Sequence, residues 1–285
     1  MKPAITSFPG ALRRSGRVGR AAAARAAGQP GLHLAAWAWC GALVGIVLAL
    51  LLFAPARWLA DAVYRNSGQR IVLAEPRGTV WQGSAQLLLS GGAGSQAIAA
   101  LPDRLQWSLR PALTGLRLSL MNVCCTPEAL QLRATPRLNG LRVELADAQS
   151  QWPAALLVGL GTPWNTLQPT GNLQLQTKGF SADWKAGRLL VAGSAVLEAR
   201  DISSSLSTLR PMGSYRLLLE GGPVVGLKLE TIEGSLQLTG HGQWAGSGLR
   251  FSGEASAAPE REAALANFLG LIGKRSGTRS VITIG

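Results

Sequence analysis

The side chains best suited to chemistry in this chain are two histidines and three cysteines. His33 and His241 stand far apart, and His241 lies in a glycine-flanked turn without an acidic neighbour, which is typical of a solvated loop residue rather than a general base. The sequence contains no nucleophile elbow, phosphate-binding loop, H-E-x-x-H pair or paired-cysteine zinc pattern. We therefore predict no enzyme, no cofactor and no metal site.

Two of the cysteines, Cys124 and Cys125, are adjacent, whereas Cys40 lies inside an apolar segment as a small hydrophobic residue. A relaxed disulfide holds its Cα atoms roughly 4.4 to 6.8 Å apart, which neighbouring residues rarely achieve. No further metal ligands stand nearby. We expect two unpaired thiols at the end of a strand. A strained vicinal disulfide or an intermolecular disulfide in an oxidising compartment is the alternative, so the two residues are a candidate redox pair.

The net charge of +13 is unevenly distributed. Residues 1–30 contain Lys2 and five arginines but no acid, whereas the other basic residues are spread along the rest of the chain. A nucleic-acid-binding surface would need a basic stripe interleaved with aromatic residues, or a recognisable motif, and the sequence has neither. We expect no nucleic-acid partner.

Residues 34–54 carry no charge, and a helix of this length rises about 1.5 Å per residue and so crosses the roughly 30 Å hydrocarbon layer of a membrane. Trp37 and Trp39 fall near one end of the segment and Trp58 just beyond the other, where interfacial aromatics lie, and the basic residues before it predict a cytoplasmic N-terminus. We expect a basic cytoplasmic tail over 1–33, a transmembrane helix over 34–54, and the bulk of the chain on the far side of the membrane. The alternatives are a cleavable signal peptide, which the long apolar stretch disfavours, and a mitochondrial transit peptide, which the uninterrupted spanning segment disfavours.

From about Ile71 onward, apolar and polar residues alternate. Leu116 and Leu118, for example, alternate with Arg117 and Ser119. A period of two indicates strands with one buried and one solvated face. Glycine-rich turns separate these segments at intervals of about 8 to 12 residues, which is typical of an antiparallel meander, a sandwich or an open curved sheet.

Short helices accompany the strands. Residues 55–68 predict a juxtamembrane helix that begins near Pro55 and ends at Gly68. Residues 152–160 and 259–272 predict two more, and the second has an apolar stripe that should pack on the sheet. The predicted fold class is mainly β: a single N-terminal transmembrane helix, then a curved antiparallel sheet domain over 69–285 with two short covering helices and a last strand over 281–284.

Leucine occupies many strand positions where valine and isoleucine are commoner. The apolar face of the sheet is therefore rich in long, pliable side chains. An ordinary closed core is the simple interpretation of this face, and an open groove that holds lipid is the alternative.

Residues 78–85, with the sequence GTVWQGSA, follow a single apolar segment by a few tens of residues and resemble an early segment of the type II secretion system protein N family, also called general secretion pathway protein N. Residues 105–111, 169–175 and 211–215 resemble later family strands in the same order, with Met212 where leucine is usual. The resemblance covers nearly all of the chain after residue 55, and four motifs in order are more specific than any one of them.

The matching motif residues are expected to be structural, because glycines serve turns or bulges around strands and tryptophans act as large buried anchors. They are Gly78, Val80, Trp81, Gly83, Trp107, Arg110, Pro111, Gly171, Gly213 and Tyr215.

The resemblance implies a non-enzymatic accessory or scaffold subunit of the apparatus that exports folded proteins from the periplasm across the outer membrane. Such a subunit would cross the cell inner membrane once, with its N-terminus in the cytoplasm and most of the chain in the periplasm. Its implied partners are the inner-membrane platform, the secretin, or both. The alternative function is that of an anchored periplasmic lipid-binding or lipid-transfer protein, which the leucine-rich strands suggest.

Overall fold

The computed structural model describes residues 32–185, 188–245 and 248–284, and the chain divides into two compact units, residues 1–51 and 52–285. The predicted tail over 1–33 lies outside the described residues apart from its last two. The helices of the described residues are α1 Leu32–Leu52, α2 Ala56–Asn66, a 3₁₀ helix Ala154–Leu160, α3 Trp164–Leu167 and α4 Glu262–Ile272.

The first helix, α1, contains nearly all of the predicted membrane segment, 34–54. Within the residues that the structure describes, no helix is both long enough and apolar enough to cross a membrane. The crossing therefore stays a prediction from the sequence.

All the strands of the described ranges form one antiparallel sheet, so the predicted mainly β, antiparallel fold is confirmed. The strands follow one another in chain order up to β13, and then come β15 and β14, while β7 lies beside β8. Among these strands β1 and β14 each pair on one side only, so the sheet is open. Their bounds are β1 Ile71–Gly78, β2 Gln82–Ser90, β3 Ile98–Ala112, β4 Gly115–Met121, β5 Leu130–Arg137, β6 Gly140–Leu145, β7 Ala148–Pro153, β8 Thr170–Lys185, β9 Arg188–Ser203, β10 Gly213–Gly222, β11 Gly226–Gly234, β12 Leu236–Ala245, β13 Gly248–Ala257, β14 Lys274–Ser276 and β15 Arg279–Ile284.

Strands β6 and β7 lie end to end along the long strand β8. β6 pairs with its second half and β7 with its first half. The break between them is tied to a bulge in β8, because the backbone N–H of Gly179 donates to Oδ1 of Asp147 (2.6 Å) and the hydroxyl of Thr177 donates to the carbonyl of Ala146 (3.1 Å). From β1 to β13 the sheet is thus an up-and-down meander in which β6 and β7 together occupy one strand position.

One face of the sheet, called the leucine face below, carries leucines that lie directly opposite one another on neighbouring strands, as the period of two predicts. The other face carries mostly polar and charged residues and is called the polar face. Two rows on the leucine face are Leu109, Leu118, Leu132 and Leu145 across β3 to β6, and Leu175, Leu197, Leu217 and Leu229 across β8 to β11.

The turns of an antiparallel meander alternate between the two ends of its strands. Strands β1, β3, β5, β8, β10 and β12 all finish at one end of the sheet, called the hairpin end below. The connections at the other end, called the helix end, are mostly longer, and they include the 3₁₀ helix, α3 and α4.

Three clusters of buried residues cover parts of the leucine face. α2 packs Ala56 and Ala60 against β1 to β3, and the 3₁₀ helix packs Leu156 against Leu101. α4 supplies the largest cluster, which contains Met212, Tyr215, Leu236, Ala255, Leu265, Phe268 and Leu269.

The predicted covering helices are both present, although the first is a 3₁₀ helix that begins after Pro153, because residues 148–153 belong to β7. Towards the hairpin end the leucine face has exposed side chains, among them Leu116, Leu141 and Trp184. The face is therefore closed beneath the helices and open towards the hairpins.

Candidate functional site

The first family motif forms the tight turn between β1 and β2. The backbone N–H of Thr79 donates to the carbonyl of Gln82 (2.8 Å), and the N–H of Gln82 donates to Oγ1 of Thr79 (3.1 Å). Gly78 has a φ of +88°, a conformation that side chains disfavour, and a Cβ there would lie 2.5 Å from the Gln82 carbonyl oxygen. The motif therefore specifies a turn.

Trp107, from the second motif, lies against this turn. A Cβ on Gly83 would lie 2.5 Å from Cζ2 of Trp107 and 2.5 Å from the carbonyl oxygen of Arg77, so only glycine leaves room for the indole ring. The indole Nε1 donates to the carbonyls of Val80 (3.1 Å) and Thr79 (3.3 Å). The buried ring thus packs in the core and also satisfies the backbone of the turn.

The same turn receives the chain as it leaves the N-terminal segment. The N–H of Val80 donates to the carbonyl of Ala54 (2.8 Å), Pro55 forms an isolated bridge with Thr79, and the N–H of Leu109 donates to the carbonyl of Trp81 (2.6 Å). We call residues 78–83 together with Trp107 the motif corner. It joins the beginning of the domain to its first three strands.

A cleft of about 600 Å³ opens on the polar face beside the motif corner, lined in part by Arg77, Arg104 and Gln106. The guanidinium of Arg104 already donates to the carbonyl of Glu75 (2.6 Å) and to Oγ of Ser84 (3.3 Å). Its hydrogen-bonding capacity is therefore used largely within the protein.

The later motifs supply residues near α4. Tyr215 is buried in the α4 cluster, and a Cβ on Gly213 would lie 2.8 Å from its hydroxyl oxygen. Burial raises the pKa of Tyr215, so the phenol stays protonated, and its hydroxyl has no hydrogen-bond partner within the described residues. Gly171, with a φ of +123°, lies where the pairing of β8 with β9 is irregular, against the carbonyl of Arg200.

Arg110 and Pro111 differ from the other motif residues, because both are exposed on β3 at the hairpin end. They lie opposite Arg117 and Leu116 of β4. The structure therefore does not bring them into the clusters around Trp107 or Tyr215.

Cys124 and Cys125 are joined by a vicinal disulfide, so the expectation of two unpaired thiols is wrong and the alternative, a bond between the neighbours, is present. They lie in the β4–β5 connection, which the side chain of Asn122 organises: its Oδ1 accepts from the N–H of Cys124 (3.1 Å), and its Nδ2 donates to the carbonyl of Pro102 (3.1 Å). Cys125 is buried against Leu101, whereas Cys124 is exposed. The Cα atoms are 3.7 Å apart, the ordinary separation of neighbours.

A charged ladder crosses the polar face of β9, β10 and β11, and sequence reasoning missed it. Arg216 lies opposite both Glu198 and Glu230, and its guanidinium bonds Glu198 at 3.0 Å and Glu230 at 3.2 Å. Arg200 also bonds Glu198, and Lys228 bonds Glu230 at 2.8 Å. The sequence contains all of these charges, but only the strand register shows that they are neighbours.

Hydrogen bonds from Arg200 and Arg216 hold the pKa of Glu198 below its ordinary value of 4.5, although burial of the carboxylate opposes this shift. Hydrogen bonds from Lys228 and Arg216 likewise lower the pKa of Glu230. The ladder is thus an ion-pair network that fastens three strands together.

Together these features define a class of protein: an open antiparallel-sheet protein whose motif residues mostly build its turns and cores. In the described ranges, no group of three or more His, Cys, Asp or Glu residues could hold a metal ion. A family model then identifies the family. The model of type II secretion system protein N matches residues 69–282, and the chain belongs to this family, as the four motifs predicted. No curated protein and no solved structure gives a significant match.

Replacing Gly83 by alanine should lower the free energy of unfolding by about 1–3 kcal/mol, because the new methyl group would collide with Trp107 and with the Arg77 carbonyl. Gly226→Ala is the matched control, since a Cβ at that strand position meets nothing within 4 Å. Urea unfolding of residues 52–285, followed by tryptophan fluorescence, measures both variants. Equal effects of the two substitutions would contradict the packing of the motif corner.

Replacing Glu198 by glutamine should lower the free energy of unfolding by roughly 1 kcal/mol at pH 7, because the charge-assisted bonds to Arg200 and Arg216 are weakened. The pKa of Glu198 is lower in the folded than in the unfolded chain. Its carboxylate therefore stabilises the fold at neutral pH and ceases to do so as the pH falls from about 4.5 through the folded value.

The difference in stability between wild type and Glu198→Gln should accordingly shrink in acid, as urea unfolding at pH 7 and at successively lower pH would show. Glu220→Gln is the control, because this exposed glutamate on β10 makes no ion pair within the described residues. A difference that stays constant into strong acid would argue against the ladder.

Proposed function

We propose that the protein is a non-enzymatic accessory subunit of the type II secretion apparatus, which takes part in the export of folded proteins across the outer membrane. The match of the family model to residues 69–282 carries this proposal. The structural role of the motif residues supports it, because most of them form a turn, a bulge or part of a core. A scaffold needs a rigid body of this kind more than it needs reactive groups.

The proposed location is the cell inner membrane, with residues 34–54 as a single anchor and the sheet domain in the periplasm. Two observations favour it. The excess of basic residues precedes the apolar segment, and the vicinal disulfide of Cys124 and Cys125 suits an oxidising compartment. The proposed boundaries are 1–33 for the tail, 34–54 for the anchor, 55–68 for the juxtamembrane segment that holds α2, and 69–285 for the periplasmic domain.

This location predicts a specific pattern of protease sensitivity. Protease added to intact cells should leave the chain whole, whereas protease added after the outer membrane is opened should digest most of the domain beyond residue 55. A short N-terminal piece should remain protected, and an epitope at the N-terminus detects it. Loss of that epitope together with the domain would contradict a cytoplasmic N-terminus.

The proposed partners are other components of the secretion apparatus, at the inner-membrane platform, at the secretin, or at both. Open sheets leave unpaired backbone groups at their edge strands, and such edges can accept a strand from a partner. Here β1 is the longer of the two edge strands, and Pro76 and the bulge between Ala74 and Arg77 interrupt it, so only its first part is regular.

One observation favours a second candidate function, that of a lipid-binding protein. The leucines at the centre of the leucine face are half-buried, and Leu141 and Trp184 near the hairpin end are exposed. A groove lined in this way could hold an acyl chain. The test is whether a delipidated fragment of residues 52–285 takes up phospholipid. A fragment that takes up none would exclude this candidate.

Deleting the gene should cause proteins that normally leave the cell to accumulate in the periplasm, and the intact chain supplied in trans should restore export. Measuring the secreted proteins in the medium and the periplasm tests this. Unchanged export together with an unchanged composition of the secretion complex in the deletion strain would contradict the scaffold role.

Copurification separates the two candidates. The full chain, extracted in mild detergent, should bring down platform or secretin subunits without stoichiometric lipid. About one phospholipid per chain without any secretion component would instead favour the lipid-binding function.

A further inference from the structure

Two leucines stand fully exposed at adjacent hairpin turns. Leu113 lies between β3 and β4, Leu138 lies between β5 and β6, and neither side chain is covered by the rest of the protein. A single exposed leucine is ordinary. Here, however, Trp184, Val224 and Trp244 stand at or beside the next three hairpins of the same end, each between 40% and 57% exposed. Five successive hairpins thus present apolar side chains that contribute little to the core.

Positive charge surrounds the two leucine turns. Residues 110–118 and 135–143 contain four arginines and no acid, and of the four only Arg142 is ion-paired in the described ranges, with Glu144 and Asp183. Arg110 lies directly opposite Arg117, which in turn lies opposite Arg133. Like charges in directly opposed positions destabilise a sheet. None of these three arginines makes an ion pair within the described residues, although Arg133 also lies opposite Glu144. Arg110 and Arg117 are therefore suited to anions from outside the domain.

The hairpin end is also where the domain begins. Ala54 and Pro55 bond to the turn between β1 and β2, which lies at this end. The next hairpin, with Leu113, is two strand spacings away, or about 10 Å. Residues 34–54 are the membrane anchor of the proposed function, and on that step the inference rests. If they span the bilayer, the hairpin end begins close to its surface.

We propose that the hairpin end docks on the surface of an anionic phospholipid bilayer. Leu113 and Leu138 insert at the boundary between headgroups and acyl chains, and the arginines beside them, Arg110, Arg117 and Arg137, contact lipid phosphates. Scattered apolar tips flanked by cations match the layered chemistry of a membrane surface, in which apolar chains lie beneath anionic groups. The contact assigns a role to Arg110, which with Pro111 is a motif residue that lies exposed outside the buried clusters.

Flotation with lipid vesicles tests the proposal without the anchor. Residues 52–285 form a compact unit that holds every described strand and all three buried clusters, so they can be studied alone. The vesicles contain phosphatidylethanolamine and phosphatidylglycerol, and neutral phosphatidylcholine vesicles serve for comparison. We expect the fragment to float with the anionic vesicles and much less with the neutral ones, and salt should weaken the binding.

The double variant L113S/L138S should bind the anionic vesicles at least tenfold more weakly, because it removes two apolar side chains without touching the core. V123S/L206S is the matched control, since it removes two exposed apolar side chains from the helix end. It should bind within about twofold of the wild type. Circular dichroism melting checks that both variants remain folded.

Equal flotation of L113S/L138S and wild type, or no flotation of the wild-type fragment, would overturn the proposal. So would a double variant that loses only the copurification of a secretion component, because the hairpin end would then be a protein interface. None of these results touches the proposed secretion role, which is judged by export in cells with the anchor in place.

Discussion

The leucine face of the sheet has to be shielded from water, and most of the structure follows from this constraint. A single open sheet has no second sheet to cover it, so short segments from the connections serve instead: α2, the 3₁₀ helix and α4 each bury a separate cluster. Each is too short to be stable alone, since isolated helices of this length are marginal in water. Sheet and helices therefore stabilise each other.

The polar face and the edges meet different demands. Rows of leucine alone would let neighbouring strands slip, because leucine packs against leucine equally well when the register shifts by two residues. Ion pairs between neighbouring strands can fix the register. The ladder around Glu198 and Arg216 fastens the strands that lead towards the α4 cluster. Both open edges are poor templates for pairing with another chain. β14 has only three residues, of which Lys274 and Arg275 are charged, and Pro76 interrupts β1.

Several family motifs mark places where the backbone turns, where strand pairing is irregular, or where a large ring needs room. Gly83 leaves room for the ring of Trp107, and Gly213 leaves room for Tyr215. Gly171 lies where the pairing of β8 with β9 is irregular. Such positions tolerate few residue types, which explains why short motifs identify the family across a domain of ordinary alternating strands. Arg110 departs from this rule, and its exposed position at the hairpin end points to a contact outside the domain.

The sequence by itself determined the strand pattern, the turns and the covering helix near the C-terminus, because the period of two and glycine positions are local signals. It also indicated the family through its four motifs. The tertiary structure alone decided that Trp107 lies on Gly83, that Arg216 joins Glu198 to Glu230, and that Leu113 and Leu138 share one end of the sheet. Those facts depend on strand register and on contacts between distant residues, which a local pattern does not encode.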